Sequence, residues 1–134
     1  MKYNKVIGSV NIRLDTKRID DNMRRAQNLL DQRVLKDMIP YIPASQQEAM
    51  RGATHIIEPG LISTNTPYAH YQYTGELYLT EDGRSWADKW EKKFPTGTPL
   101  KYHTEGTGDH WFERAKNEHK EQWVYLVKKE VGKG

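Results

Sequence analysis

The residues best suited to chemistry lie late in the chain: His103, Asp109, His110, Glu113 and His119. His110 and Glu113 stand at i, i+3, a spacing that brings two side chains to neighbouring positions on a helix. A metal centre or a metal-dependent nuclease would use such a pair, but it needs further ligands at fixed spacing. Asp109 and His119 are available, yet on a helix they point around the axis rather than to one side. The chain has 0 Cys, so neither a thiolate zinc site nor a disulfide framework is open to it. No glycine loop precedes a lysine to cradle a phosphate. No serine sits in the strand–elbow–helix setting of a hydrolase nucleophile. The sequence therefore nominates no catalytic, cofactor-binding or metal-ligating residue. His110 reads as a first-turn helical residue that packs or hydrogen-bonds.

The element around which the rest is arranged is Pro67-Tyr68-Ala69-His70-Tyr71-Gln72-Tyr73-Thr74-Gly75. Proline suits the first turn of a helix, where its missing N–H is an orphan anyway. Glycine suits the position just past the end, where the backbone turns left-handed. Two helical turns are predicted, with Tyr68 and Gln72 on one side and Tyr71 and Gly75 on another. Three tyrosines in so short an element can bury rings while keeping their hydroxyls hydrogen-bonded. A core or interface helix fits this pattern, and a ligand-stacking platform is the alternative.

Upstream, Val6, Val10, Ile12 and Leu14 share one parity against Ser9, Asn11 and Arg13, which predicts one half-buried strand over 6–14. Asp15 or Thr16 offers an N-cap for a helix to about Met38. Ile19, Met23, Ala26, Leu30 and Val34 form its core-facing stripe, and Asp20–Arg24 and Asp21–Arg25 are i, i+4 ion pairs on the polar side. Pro40 and Pro43 end it. Residues 45–52 have room for one helical turn. Segments 55–58 and 60–64 read as strands broken at Pro59-Gly60, and 76–80 as another, closed by Asp82-Gly83. Ser85 would cap a helix to Phe94, with Trp86, Trp90 and Phe94 in one line. That line either covers the core or meets another subunit, since Trp and Tyr are enriched at interface centres. Residues 99–103 are predicted extended, and Asp109 to cap a last helix through about Val131. Trp111, Ala115, Glu118, Gln122 and Tyr125 trace one line along it, and Phe112, His119, Trp123, Leu126 and Val131 broaden the apolar face. The expected fold is α+β: an N-terminal strand and long helix (5–39), a small antiparallel sheet with the central motif (40–108), and a C-terminal helix (109–131).

A chain of 134 residues is enough for one domain with a real core. Its hydrophobic fraction is 36% and its mean hydropathy −0.93, yet 4 Trp and 8 Tyr supply much buriable surface. A small core beneath a large wetted surface fits a fold completed by partners. No run approaches a membrane span or a signal-peptide core, so a soluble protein made in a cytoplasm is expected. The net charge of +3 comes from interspersed signs, as in Lys17-Arg18 before Asp20-Asp21. That reads as a solvated surface, a DNA-binding face being the alternative.

Three blocks go further. Pro67-Tyr68-Ala69 with Gln72-Tyr73, Gly75 and Leu77-Tyr78 resembles the central motif of the minor capsid proteins of tailed bacteriophages. Thr98-Pro99-Leu100-Lys101-Tyr102 resembles that family's second block, and Gly108-Asp109-His110-Trp111-Phe112-Glu113-Arg114-Ala115-Lys116 its third. Tyr41 and Pro43 resemble the entry to the sheet in the broader head–tail joining group. The resemblance implies a structural virion protein, synthesised in the bacterial cytoplasm and placed at the head–tail junction. It implies a homo-oligomeric ring, a hexamer or dodecamer, touching neck, portal-adaptor and tail proteins, with no cofactor. A tail-completion or tail-terminator protein is the alternative, and a small basic nucleic-acid-binding protein a more distant one. The motif residues (Pro67, Tyr68, Ala69, Gln72, Tyr73, Gly75, Pro99, Leu100, Tyr102, His110, Trp111, Phe112 and Ala115) are then expected to pack. Tyr71, Tyr78, Trp86, Trp90 and Phe94 are the expected subunit interface. Basic side chains on the inner wall would face passing DNA without reading bases.

Overall fold

The computed structural model of the chain describes residues 2–44, 49–103 and 105–133. Two long helices dominate it. α1, Lys17–Met38, begins where expected: the Asp15 carboxylate accepts from the Lys17 N–H at 3.0 Å, and Thr16 stands at the N-cap. The helix runs out at a 3-10 turn, Ile39–Tyr41, containing Pro40. α4, Trp111–Val131, lies antiparallel to it. The Asn22 amide donates to the Val131 carbonyl at one end, and the Trp123 indole donates to Asp37 at the other. Between them Arg25 pairs with Glu130, and Arg33 donates to Gln122. Asp21 pairs with Lys17 and Arg24 instead of Arg25, because Arg25 is drawn across the seam.

The core is where the two helices and the turn after α1 close together. Val34, Met38, Ile42, Met50, Trp111, Ala115 and Trp123 are buried in one cluster. Of the predicted α1 stripe, Ala26 and Val34 are buried and Leu30 half-buried, while Ile19 and Met23 stay exposed. A short α2, Ala49–Gly52, supplies Met50; residues 45–48 of the expected turn lie outside the described residues. The buried Thr54 hydroxyl lies 2.7 Å from the Met50 carbonyl and 2.8 Å from the Thr64 hydroxyl, joining α2 to the hairpin that follows.

The α+β class holds, but the strands do not form one sheet beneath α1. Among the described residues they form three separate antiparallel hairpins: β1 Lys2–Ile7 with β2 Val10–Asp15, β3 Thr54–Glu58 with β4 Leu61–Thr64, and β5 Glu76–Thr80 with β6 Lys93–Pro99. Pro95 and Pro99 remove ladder donors from β6, a device found at edges and bulges. α1 consequently packs chiefly on α4.

Two further expectations are corrected. The strand predicted over 6–14 is a hairpin turned at Gly8-Ser9, with Gly8 at φ +58°. A two-residue turn reverses parity, so Val6 faces away from Val10. Residues 85–92 are not helical, and Phe94 lies in β6. Arg84 reaches both Asp82 and Glu91, and Thr80 accepts from the Arg84 N–H. Those ties and the β5–β6 ladder fix the connection in a form that a ten-residue helix, marginal by itself, does not override.

Asp37 carries a pH prediction. Burial pushes its carboxyl up, but the Trp123 indole, Arg33 and nearby His119 outweigh burial and hold its pKa below the ordinary value. A carboxylate depressed in the folded state stabilises above its unfolded pKa, about 3.9, and loses that stability as pH falls through the folded value. Urea unfolding is expected to show stability dropping below about pH 4, with Asp37→Asn dropping less over the same window. A variant profile parallel to the parent's would clear Asp37 as the source.

Candidate assembly surfaces

The central helix α3, Ala69–Thr74, is shorter than predicted: Pro67 and Tyr68 form the turn before it. Its end is as expected, with Gly75 at φ +78° and the Gly75 N–H bonded to the Tyr71 carbonyl at 2.9 Å. What the sequence left open is what α3 joins. The Leu100 N–H donates to the Gly75 carbonyl, and the Tyr102 hydroxyl to the Gln72 carbonyl at 2.6 Å. From the other side, the His110 N–H donates to the Tyr73 carbonyl at 2.9 Å. The Tyr73 ring stands edge-on to Trp111 at 4.7 Å, and its hydroxyl donates to Glu113. The three motif blocks therefore meet as one joint around α3.

On its inner side that joint packs Ala69 and Tyr73 against the core cluster. Trp111 is 4% exposed and Ala115 0%. Burial, then the hydrogen bond and charge of Glu113, push the Tyr73 phenol far above its usual pKa. Burial and the Asp109 charge raise Tyr102. Asp109 does not cap α4. His110 occupies the cap position at φ +48°, and Asp109 turns its carboxylate to Arg114 at 2.6 Å. His110 lies 3.7 Å from Asp109, whereas His119 stacks on Trp123 and reaches Asp37 at 3.8 Å. The two histidines thus serve different neighbours. Pro67, Tyr68, Pro99 and Phe112 are exposed, and Ala69, Gln72 and Leu100 half-buried. Among the described residues no three His, Asp or Glu side chains converge on a metal-sized space. No described helix is long and apolar enough to cross a membrane.

The five candidate interface aromatics divide into three groups. Tyr71 and Tyr78 pack together at 4.9 Å, with His70 against both and the Lys93 ammonium 4.3 Å over Tyr71. Phe94 pairs with Leu79 across β5–β6, on the opposite face from Tyr78 and Lys93, and is exposed. Trp86 and Trp90 stand on the β5–β6 connection, 62% and 87% exposed. Cations hold both rings, Arg84 over Trp86 at 4.3 Å and Lys89 near Trp90 at 5.2 Å.

Sequence reasoning missed a second surface. In β1–β2 the register places Tyr3 opposite Leu14, Lys5 opposite Ile12 and Ile7 opposite Val10, all on one face. Five of those six side chains are apolar, yet only Ile12 of the hairpin is even half-buried. Pairing across Gly8-Ser9 was the signal that would have revealed it.

The sequence model of the family described as minor capsid protein matches residues 9–131, from the β1–β2 turn to the end of α4. No curated protein and no solved structure matches the chain.

Proposed function

This chain belongs to the minor capsid protein family, a structural component of the phage virion, and on that premise we propose that it forms a ring at the phage neck, connecting the portal side of the head to the tail. The observation that carries this reading is the pair of unlike apolar patches. One is Trp86 and Trp90 on the β5–β6 connection; the other is the open face of β1–β2. A closed ring built head-to-tail needs two different patches on every subunit, whereas a two-fold dimer needs one patch that meets itself. Exposed tryptophans at 62% and 87% are costly in water and typical of interface centres.

Light scattering across a concentration series is expected to give the mass of a discrete closed oligomer. Trp86→Ala with Trp90→Ala should return that mass to a monomer. Because both rings are largely solvated, the unfolding free energy should change by no more than about 0.5 kcal/mol. A double variant that keeps the parent mass would remove the tryptophans from the interface. The virion position is tested separately, by locating the chain in density of purified particles; density away from the head–tail junction overturns the neck assignment.

A further inference from the structure

We propose that the apolar face of the β1–β2 hairpin of one copy docks in the cleft of a second copy, with Lys5 meeting Asp31. The inference rests on the ring reading and gives the hairpin patch the cleft of the next copy as its partner, which leaves Trp86 and Trp90 to a separate contact in the ring. The hairpin is the donor surface. Tyr3, Ile7, Val10 and Leu14 are between 43% and 56% exposed on it. A lone two-stranded hairpin is marginal in water unless its face is covered. Lys5 is the one charged side chain on that face.

The acceptor is an open cleft of about 640 Å³ between α1, β4, α3 and the start of α4. Leu30, Val34, Leu61, Ile62, Trp111 and Phe112 make it largely apolar, and neither lysine nor arginine lines it. Asp31 lies in its wall, 5% exposed. Its carboxylate accepts from the Gln27 amide at 2.7 Å and the Gly60 N–H at 3.0 Å. Among the described residues no cation pairs with it. A buried carboxylate held only by neutral donors is short of a positive partner.

Charge selects this cleft over its neighbour. The hairpin carries Lys2, Lys5 and Arg13 against a single acid, Asp15. The adjoining apolar groove by Trp123, Val124 and Val127 is rimmed by Lys116, Lys120 and Lys128, with no acid among its lining residues. It repels the hairpin that the Asp31 cleft attracts. Geometry favours a second copy over the same chain. Asp31 sits fourteen residues into α1, about 20 Å from the helix start where the hairpin is attached. The hairpin would have to fold back along α1 to reach it.

The chain has 0 Cys, so single cysteines report the contact cleanly. Full-length Ile7→Cys and Leu61→Cys proteins, mixed and mildly oxidised, are expected to give a disulfide-linked heterodimer that neither gives alone. Lys5→Glu in the Ile7→Cys chain should cut that yield by about tenfold, with an unchanged thermal melt because Lys5 is exposed. Three results overturn the proposal: a cross-link inside a monomeric Ile7→Cys/Leu61→Cys chain, an Ile7→Cys homodimer, or no cross-link. No cross-link from a protein that still scatters as a discrete ring removes the hairpin contact and leaves the ring reading standing. No cross-link from a protein that is monomeric throughout removes both as solution properties.

Discussion

Trp111→Ala is expected to destabilise the chain by about 3–5 kcal/mol, the usual range for emptying a buried tryptophan site. Trp111 is 4% exposed and belongs to the cluster of Val34, Met38 and Ile42. It is also the edge partner of Tyr73, so its loss opens the joint between α3 and α4 as well as the core. Against a total stability of about 5–15 kcal/mol, that is a large share. Urea denaturation measures it directly through the midpoint at constant slope. Trp111→Phe keeps a ring against Tyr73 and should cost less than half as much. If the alanine variant lost under about 1 kcal/mol, the site would be one that collapses without a cavity, and Trp111 would not hold the joint.

Gly75→Ala is the second. Gly75 closes α3 at φ +78°, where an L-residue costs about 1–2 kcal/mol. A methyl group there would meet Asp109 Oδ2 at 2.6 Å and Asp109 Cβ at 2.9 Å. Asp109 is held by its bond to Arg114 and cannot yield without moving the start of α4. Overpacking of this kind adds about 1–3 kcal/mol, so a total near 3 kcal/mol is expected. Gly83→Ala is the control: its φ is +88°, but a methyl group there meets nothing within 4 Å. It should show the backbone term alone, about 1–2 kcal/mol. Equal losses at the two glycines would mean that Asp109 moves freely and that α3 is not braced on α4.

What could be read from the chain and what could not divides by the range of the forces. The start of α1 at Asp15-Thr16, its end before Pro40, the turn at Pro59-Gly60 and the left-handed Gly75 were all legible. Each is decided by a residue's own backbone preference or by neighbours a few positions away. The helix expected over 85–94 shows the limit. Trp86, Trp90 and Phe94 have helical spacing, but the pairing of β6 with β5 and the grip of Arg84 on Glu91 impose another backbone. The same limit hid the hairpin at Gly8-Ser9, where Gly8 interrupts the alternation but the pairing of Ile7 with Val10 across the turn is not local periodicity.

The site was legible as residues and not as an arrangement. Pro67–Gly75, Thr98–Tyr102 and Gly108–Lys116 stood out as blocks through their resemblance to the family, which implied a packing role for them. Only the folded chain showed that they meet, through the bonds of Gly75 to Leu100, Gln72 to Tyr102 and Tyr73 to His110. The sequence by itself determined the two long helices, the α+β class and the abundance of Trp and Tyr. The tertiary structure decided which aromatics are open to a partner, that α1 packs on α4 instead of on one sheet, and that the N-terminal strands expose an apolar face. Local periodicity and φ preference are written in adjacent residues. Exposure and convergence arise from contacts between residues tens of positions apart, whose energies no local window contains.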